Sequence, residues 1–136
     1  MKLLRVGESG HERVAALDTN NIIRDLSDKI EDLSSYTLNS QYLEKIQKID
    51  LSKQKEISSE TRIGPFINNP KNYFCVGKNF INHIKELNSS TPKNPMIFSK
   101  ANCISGPNDD IIIPKDSKKV DWECEIGVCL KDDVYQ

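Results

Sequence analysis

The stretch Val120-Asp121-Trp122-Glu123-Cys124-Glu125-Ile126-Gly127-Val128 decides how this chain is read. Successive side chains of an extended strand point to opposite faces. In that geometry Trp122, Cys124, Ile126 and Val128 share an apolar face, while Asp121, Glu123 and Glu125 share the other. The alternation predicts a strand. Two carboxylates on one face suit a hard divalent cation, but two ligands do not complete a site. Acids that alternate along a half-exposed strand also commonly just face water, and the pattern alone serves both readings. Only 11 residues follow Glu125. Further ligands are therefore expected earlier in the chain or, as the preferred reading, in a part of the protein outside it.

The totals set the frame for that reading. A chain of 136 residues accommodates one domain, or a small domain and part of another. Charge is balanced, with 19 basic against 20 acidic residues and a net charge of −1. Neither a basic stripe nor an acidic tail points to nucleic acid or a membrane surface as partner. Cys75, Cys103, Cys124 and Cys129 form no Cys-x-x-Cys pair, so the usual zinc spacing is absent. The opening Met1 to Gly7 turns polar too quickly for a signal peptide. No window approaches the roughly 18 apolar residues of a membrane span. The expectation is a cytoplasmic protein with four free thiols.

Working back along the chain, Lys2 to Val6, Arg13 to Leu17 and Asn21 to Leu26 read as short strands. Asp18-Thr19-Asn20-Asn21 suits a tight hairpin, because Asn and Asp tolerate the left-handed conformation such turns need. From Ser27 to Lys55 the apolar spacing becomes helical, with Ile30 and Leu33, Leu43 and Ile46, and Ile46 and Ile49 each three apart. Ser40 is the expected N-cap. Ser58 to Pro65 reads as a linker, and Asn68-Asn69-Pro70 punctuates a boundary. The expected domains are thus residues 1–68, a small β-meander with helix, and residues 69–136.

The second domain opens on a strand at Tyr73 to Val76, followed by Gly77-Lys78-Asn79-Phe80-Ile81-Asn82-His83-Ile84-Lys85-Glu86-Leu87. Residues three apart on a helix are neighbours. Glu86 can therefore orient the His83 imidazole and raise its basicity, as a general base near neutral pH requires. The plainer reading is a surface histidine beside an incidental glutamate. His11, the other histidine, sits in a Gly-rich turn and reads as solvated. Met96 to Lys100 is strand-like. Asp109 and Asp110, beside Pro107-Asn108, read as turn-shaping residues.

These pieces have an order: Gly77-x-Asn79, His83-x-x-Glu86, Pro95-x-x-Phe98-x-Lys100, Gly106-Pro107 and Asp121-Trp122-Glu123-x-Glu125. Taken together, from about residue 71 onward, they resemble the fumarylacetoacetate hydrolase family. The opening Lys2-Leu3-Leu4-Arg5 and the Gly106 to Asp110 run look most like its ureidoglycolate lyase or 2,4-diketo-3-deoxy-L-fuconate hydrolase branch. The resemblance implies an α+β, mostly β chain, its small N-terminal domain followed by the truncated start of a mixed β-roll. It implies a hydrolase or lyase that breaks a C–C or C–N bond in a 2-oxo or 1,3-diketo acid or a related small carboxylate. Glu123 and Glu125 match two of three carboxylate ligands for Mg²⁺ or Mn²⁺, and the third has no counterpart in this chain. His83 and Glu86 match a water-activating dyad, and Lys100 a contact to the substrate carboxylate. Phe80 stands where relatives usually carry tyrosine. Homodimers are implied for the full-length form. The chain itself is expected to be an N-terminal fragment, inactive alone. The competing reading is a non-catalytic interaction module that pairs with a separately encoded second half.

Overall fold

The computed structural model describes residues 1–132 and 134. They form an α+β structure in which strands predominate. Residues 1–68, together with those from Ile104 onward, make one compact unit, and Asn69–Cys103 make a second.

The first unit is built on a four-stranded antiparallel sheet whose strands lie side by side in chain order. They are β1 (Lys2–Val6), β2 (Arg13–Leu17), β3 (Ile23–Asp25) and β4 (Glu56–Ile57). Register places Lys2 opposite Leu17 and Val6 opposite Arg13, then Leu17 opposite Ile23 and Ile23 opposite Ile57. The β2–β3 hairpin turns where the sequence predicts. Asp18 Oδ1 accepts from the amides of Asn20 and Ile22, and Asn21 takes a φ of 60°. An asparagine meets that left-handed geometry at low cost.

Because side chains alternate, both sheet faces are apolar. On one, Val14 and Ala16 join Leu26, Ile30, Leu33, Tyr42 and Ile46. On the other, Val6, Ala15, Ile23 and Ile57 pack with Leu4, Leu17 and Ile63. The first cluster is closed by α1 (Ser40–Gln47), which buries Tyr42 and Ile46. Asn39 rather than Ser40 caps this helix, its side chain accepting from the Tyr42 amide at 2.9 Å. Between Ser27 and Leu38 the chain runs in turns, not a helix. Ile30 and Leu33 are nevertheless buried as their spacing demands. The Tyr42 hydroxyl donates to the Glu31 carbonyl at 2.7 Å. Burial, reinforced by the charges of Asp32 and Glu31, pushes its pKa up to about 12.

The segment expected to be a linker is docked along β1. Gly7 and Gly64 donate backbone hydrogen bonds to Arg62 and Arg5 carbonyls at 3.0 and 2.8 Å, and Val6 bridges Ile63. What fixes it is charge. Arg5, only 3% exposed, grips both carboxylate oxygens of Asp32 at 2.8 Å and approaches Glu12 at 3.5 Å. Arg62 donates to Glu12 at 2.7 Å and makes a two-point contact with Asp109 at 2.7 and 2.6 Å. Asp109 also accepts from the Gly106 amide, so it shapes its turn and anchors it as well. Gly106 lies against the Ile63 carbonyl, where no side chain fits.

Burial pushes the Glu12 carboxyl up, but the Arg62 hydrogen bond and both arginine charges outweigh it and hold it below the usual range. The Arg62 hydrogen bond, helped by the Gly106 amide, lowers Asp109. For carboxyls lowered in the folded state, the linked stability is complete above the unfolded pKa of about 4 and is lost as pH falls through the folded values. Acid titration followed by circular dichroism should therefore show stability that is flat above about pH 5 and declines below about pH 4. Arg5→Met leaves Asp32 and Glu12 short of their partner. It is expected to cost about 2–3 kcal/mol in urea unfolding at neutral pH. A variant as stable as the parent would show the network to be neutral.

The second unit comprises β5 (Phe74–Gly77), α2 (Ile81–Glu86) and β6 (Met96–Ser99). β5 and β6 pair antiparallel, Phe74 opposite Ser99 and Gly77 opposite Met96. Ile84 is the buried residue of α2.

No strand forms over Val120–Val128, where alternation predicts one. A strand exists through ladder bonds to a neighbour, and none pairs with this segment among the described residues. Its apolar side chains stay exposed, Trp122 and Ile126 both by 81%.

Candidate functional site

Each candidate residue is placed by its local sequence. In the second unit, β5 ends at Gly77 and α2 begins at Ile81, so His83 and Glu86 fall one turn apart on the same helix. His83 Nδ1 lies 3.6 Å from Glu86 Oε2, and both side chains are open to solvent. That separation is slightly beyond direct hydrogen-bond length, so the two groups are neighbours on one helix face. Contacts of catalytic pairs are often long without substrate, so this spacing is compatible with a general base. Lys100 follows β6 directly. Its amide donates to the Tyr73 carbonyl at 3.0 Å, and its ammonium stands 6.0 Å over the Phe98 ring. The β5–β6 pairing therefore holds His83, Glu86 and Lys100 within one small unit. Phe80, which flanks the helix, is 42% exposed.

Glu123 and Glu125 belong to the first unit. Both are exposed, on backbone without regular structure. Among the described residues, no three His, Cys, Asp or Glu side chains gather closely enough to hold a metal ion. Oxygen-only donors fit Mg²⁺ or Mn²⁺ by their hardness. Two carboxylates leave such a cation mostly hydrated, since it takes about six oxygen ligands and the rest would come from water. The described residues do not complete a cation site.

Sequence reasoning missed the Arg5–Glu12–Arg62–Asp109 network. Its partners lie up to 50 residues apart along the chain, and no local spacing announces such a contact. It borders an open depression of about 460 Å³ lined by Gly7, Glu8, His11, Arg13, Thr61 and Arg62. The depression offers little chemistry. Arg13 is paired with Asp25 at 2.8 Å, and Arg62 is committed to Glu12 and Asp109.

Residues 72–136, which hold all five candidates, match the family described as fumarylacetoacetate (FAA) hydrolase, C-terminal. This supports the fumarylacetoacetate hydrolase family for that segment. Nearly the whole chain is similar to proteins that carry the name "Putative hydrolase". One from Burkholderia ambifaria is 41% identical over 131 residues, covering 96% of this chain and 46% of its own length. One from Burkholderia lata is 41% identical with the same coverage, and one from Burkholderia multivorans is 39% identical. The chain spans about half the length of the curated relatives it matches. Among the described residues no helix is long and apolar enough to cross a membrane.

Proposed function

We propose that this chain is the N-terminal, base-bearing portion of a cytoplasmic fumarylacetoacetate hydrolase family enzyme that cleaves a 2-oxo or 1,3-diketo acid. The observation that carries the reading is the His83–Glu86 pair, 3.6 Å apart, inside the matched segment. In this mechanism Glu86 orients the imidazole and His83 takes a proton from water. The resulting hydroxide adds to a carbonyl of the diketo acid, the neighbouring C–C bond breaks, and its electron pair leaves as an enolate that takes the proton back from His83. Lys100 faces the substrate carboxylate as a point charge. Glu123 and Glu125 are assigned to a Mg²⁺ or Mn²⁺ whose third carboxylate lies outside the described residues. The ureidoglycolate-type branch would use the same base for a C–N bond. In the longer protein, two copies pair as a homodimer.

The experiment is a chimera in which this chain replaces the matching 131 residues of the Burkholderia ambifaria relative. It is assayed with a 1,3-diketo acid and Mg²⁺ by loss of the enol's ultraviolet absorbance. His83→Gln is expected to lower kcat by about 10²–10⁴-fold. Undiminished turnover in that variant, or none in the parent chimera, would sink the proposal. For the chain alone, calorimetry is expected to find Mg²⁺ bound more weakly than about 1 mM, as few-ligand sites are. Tight binding would contradict the assignment of an external third ligand.

One observation favours a second reading, that of an interaction module. Ile111, Ile112, Trp122, Ile126 and Val128 are 77–90% exposed, apolar surface that a partner would cover on binding. In this reading they are covered by a separately encoded second half. Trp122 is the single tryptophan, so its emission reports directly. Adding the remaining part of the Burkholderia relative should shift that emission to the blue, and an unchanged spectrum would refute the reading.

A further inference from the structure

α2 carries His83 and Glu86, yet it is six residues long and no side chain caps its start. Helices this short do not persist in water by themselves. Ile84, 5% exposed, is the one residue it buries. Something beyond helix propensity must hold the turn that brings the two side chains together.

The backbone on either side of the helix supplies an answer. Lys78 precedes it with a φ of 53°, and Asn88 follows it with a φ of 49°. Asparagine enters the left-handed region readily, whereas lysine does so at a cost. After Asn88 the chain turns back, and the Ser89 amide donates to the Ile84 carbonyl at 3.0 Å. Leu87 and Asn88 amides close onto His83 and Lys85 carbonyls at the same distance. The left-handed bend at Lys78 accompanies a reach across the helix. Lys78 Nζ donates to Ser89 Oγ at 2.5 Å, joining residues 11 apart. Both residues are half-buried.

We infer that Lys78 and Ser89 form a clasp that closes the two ends of α2 on each other and thereby positions the His83–Glu86 pair. The inference rests on the reading of that pair as the general base. Lys78 is a positioning residue whose ammonium is directed to Ser89. Its unfavourable backbone conformation fits this role, since strained residues persist where surrounding contacts over-determine them and gather at functional sites. No local spacing announces the contact, whose partners lie 11 residues apart on either side of the helix.

The test uses nuclear magnetic resonance on the whole chain, reading His83 χ1 couplings and amide exchange. The parent should show one His83 rotamer. Lys78→Met and Ser89→Ala should each give rotamer averaging and at least about tenfold faster exchange at Leu87, Asn88 and Ser89, with β1–β3 unchanged. The double variant should be no worse than either single one, because both remove the same contact. Lys78→Arg, which can still donate, should keep the single rotamer. Unchanged His83 couplings in the single variants would overturn the clasp, as would an equal loss of protection in β1–β3. Should Lys78→Met fail to fold, Ser89→Ala decides alone. None of these readouts uses turnover, so a His83→Gln chimera that remains active would defeat the base assignment separately.

Discussion

Leu33→Ala is expected to remove about 2–5 kcal/mol of folding stability. Leu33 is fully buried, packed with Leu26, Tyr42 and Ile46 beneath the sheet. Truncation loses the transfer free energy of the removed groups and leaves a cavity that its neighbours fill only in part. Its backbone is also committed: the Leu33 amide donates to Asp32 at 2.9 Å, and its carbonyl accepts from the Asn68 amide at 2.8 Å. The turn therefore has little freedom to move inward and close the gap. A domain's whole stability is about 5–15 kcal/mol, so the variant should unfold at a much lower urea concentration. A loss below about 1 kcal/mol would mean that the turn segment collapses into the space after all.

Gly106→Ala is the second large effect, and its cause is the opposite one. A Cβ there would collide with the Ile63 carbonyl oxygen and stand 3.1 Å from the Gly64 Cα, both backbone atoms. Neither can rotate away, so the segment must lift off. Overpacking of this kind costs about 1–3 kcal/mol. Lifting also strains the Arg62–Asp109 contact, because Asp109 is held to the Gly106 amide at 2.6 Å. Gly64→Ala makes the contrast. Its Cβ would meet a side chain, Glu12, at 2.6 Å, which yields only by loosening its pairs with Arg62 and Arg5, so the loss falls on those ion pairs and not on the Gly106 turn. Amide exchange at Asp109, whose N–H is bonded to the Gly106 carbonyl at 3.2 Å, should accelerate in Gly106→Ala and much less in Gly64→Ala. Equal behaviour of the two variants would refute the close-approach argument.

How far the sequence carries depends on the range of the interaction involved. The strands at Lys2, Arg13 and Asn21, the Asp18 hairpin and the helix with His83 were legible because their signals are local: alternation, turn residues, and a three-residue spacing. The Ser27–Leu38 stretch misled because buried residues three apart serve a turn as well as a helix. Ser58 to Pro65 looked like a linker because its composition says nothing of Arg62, whose partners lie 47 and 50 residues away. The site divides in the same way. The His83–Glu86 contact is readable at sight, while the Lys78–Ser89 bond depends on how the chain folds back after the helix. Val120–Val128 has the alternation of a strand, but alternation specifies a face and cannot supply the neighbour a ladder requires.

The order of strands in the sheet bears on how this protein comes to be folded during synthesis. β1 to β4 lie side by side in the order in which they are made, and the first two hairpins join neighbours across short turns. Contacts between residues close in sequence form fastest, since little loop entropy is spent to bring them together. As the chain emerges, β1–β3 can zip successively, and α1 and β4 add to a template already in place. The Gly106–Asp109 turn, its aspartate made 47 residues after Arg62, then arrives at a finished surface. Translation thus delivers the anchoring arginine well before its aspartate, and the sheet does not wait for the segment that carries Glu123 and Glu125.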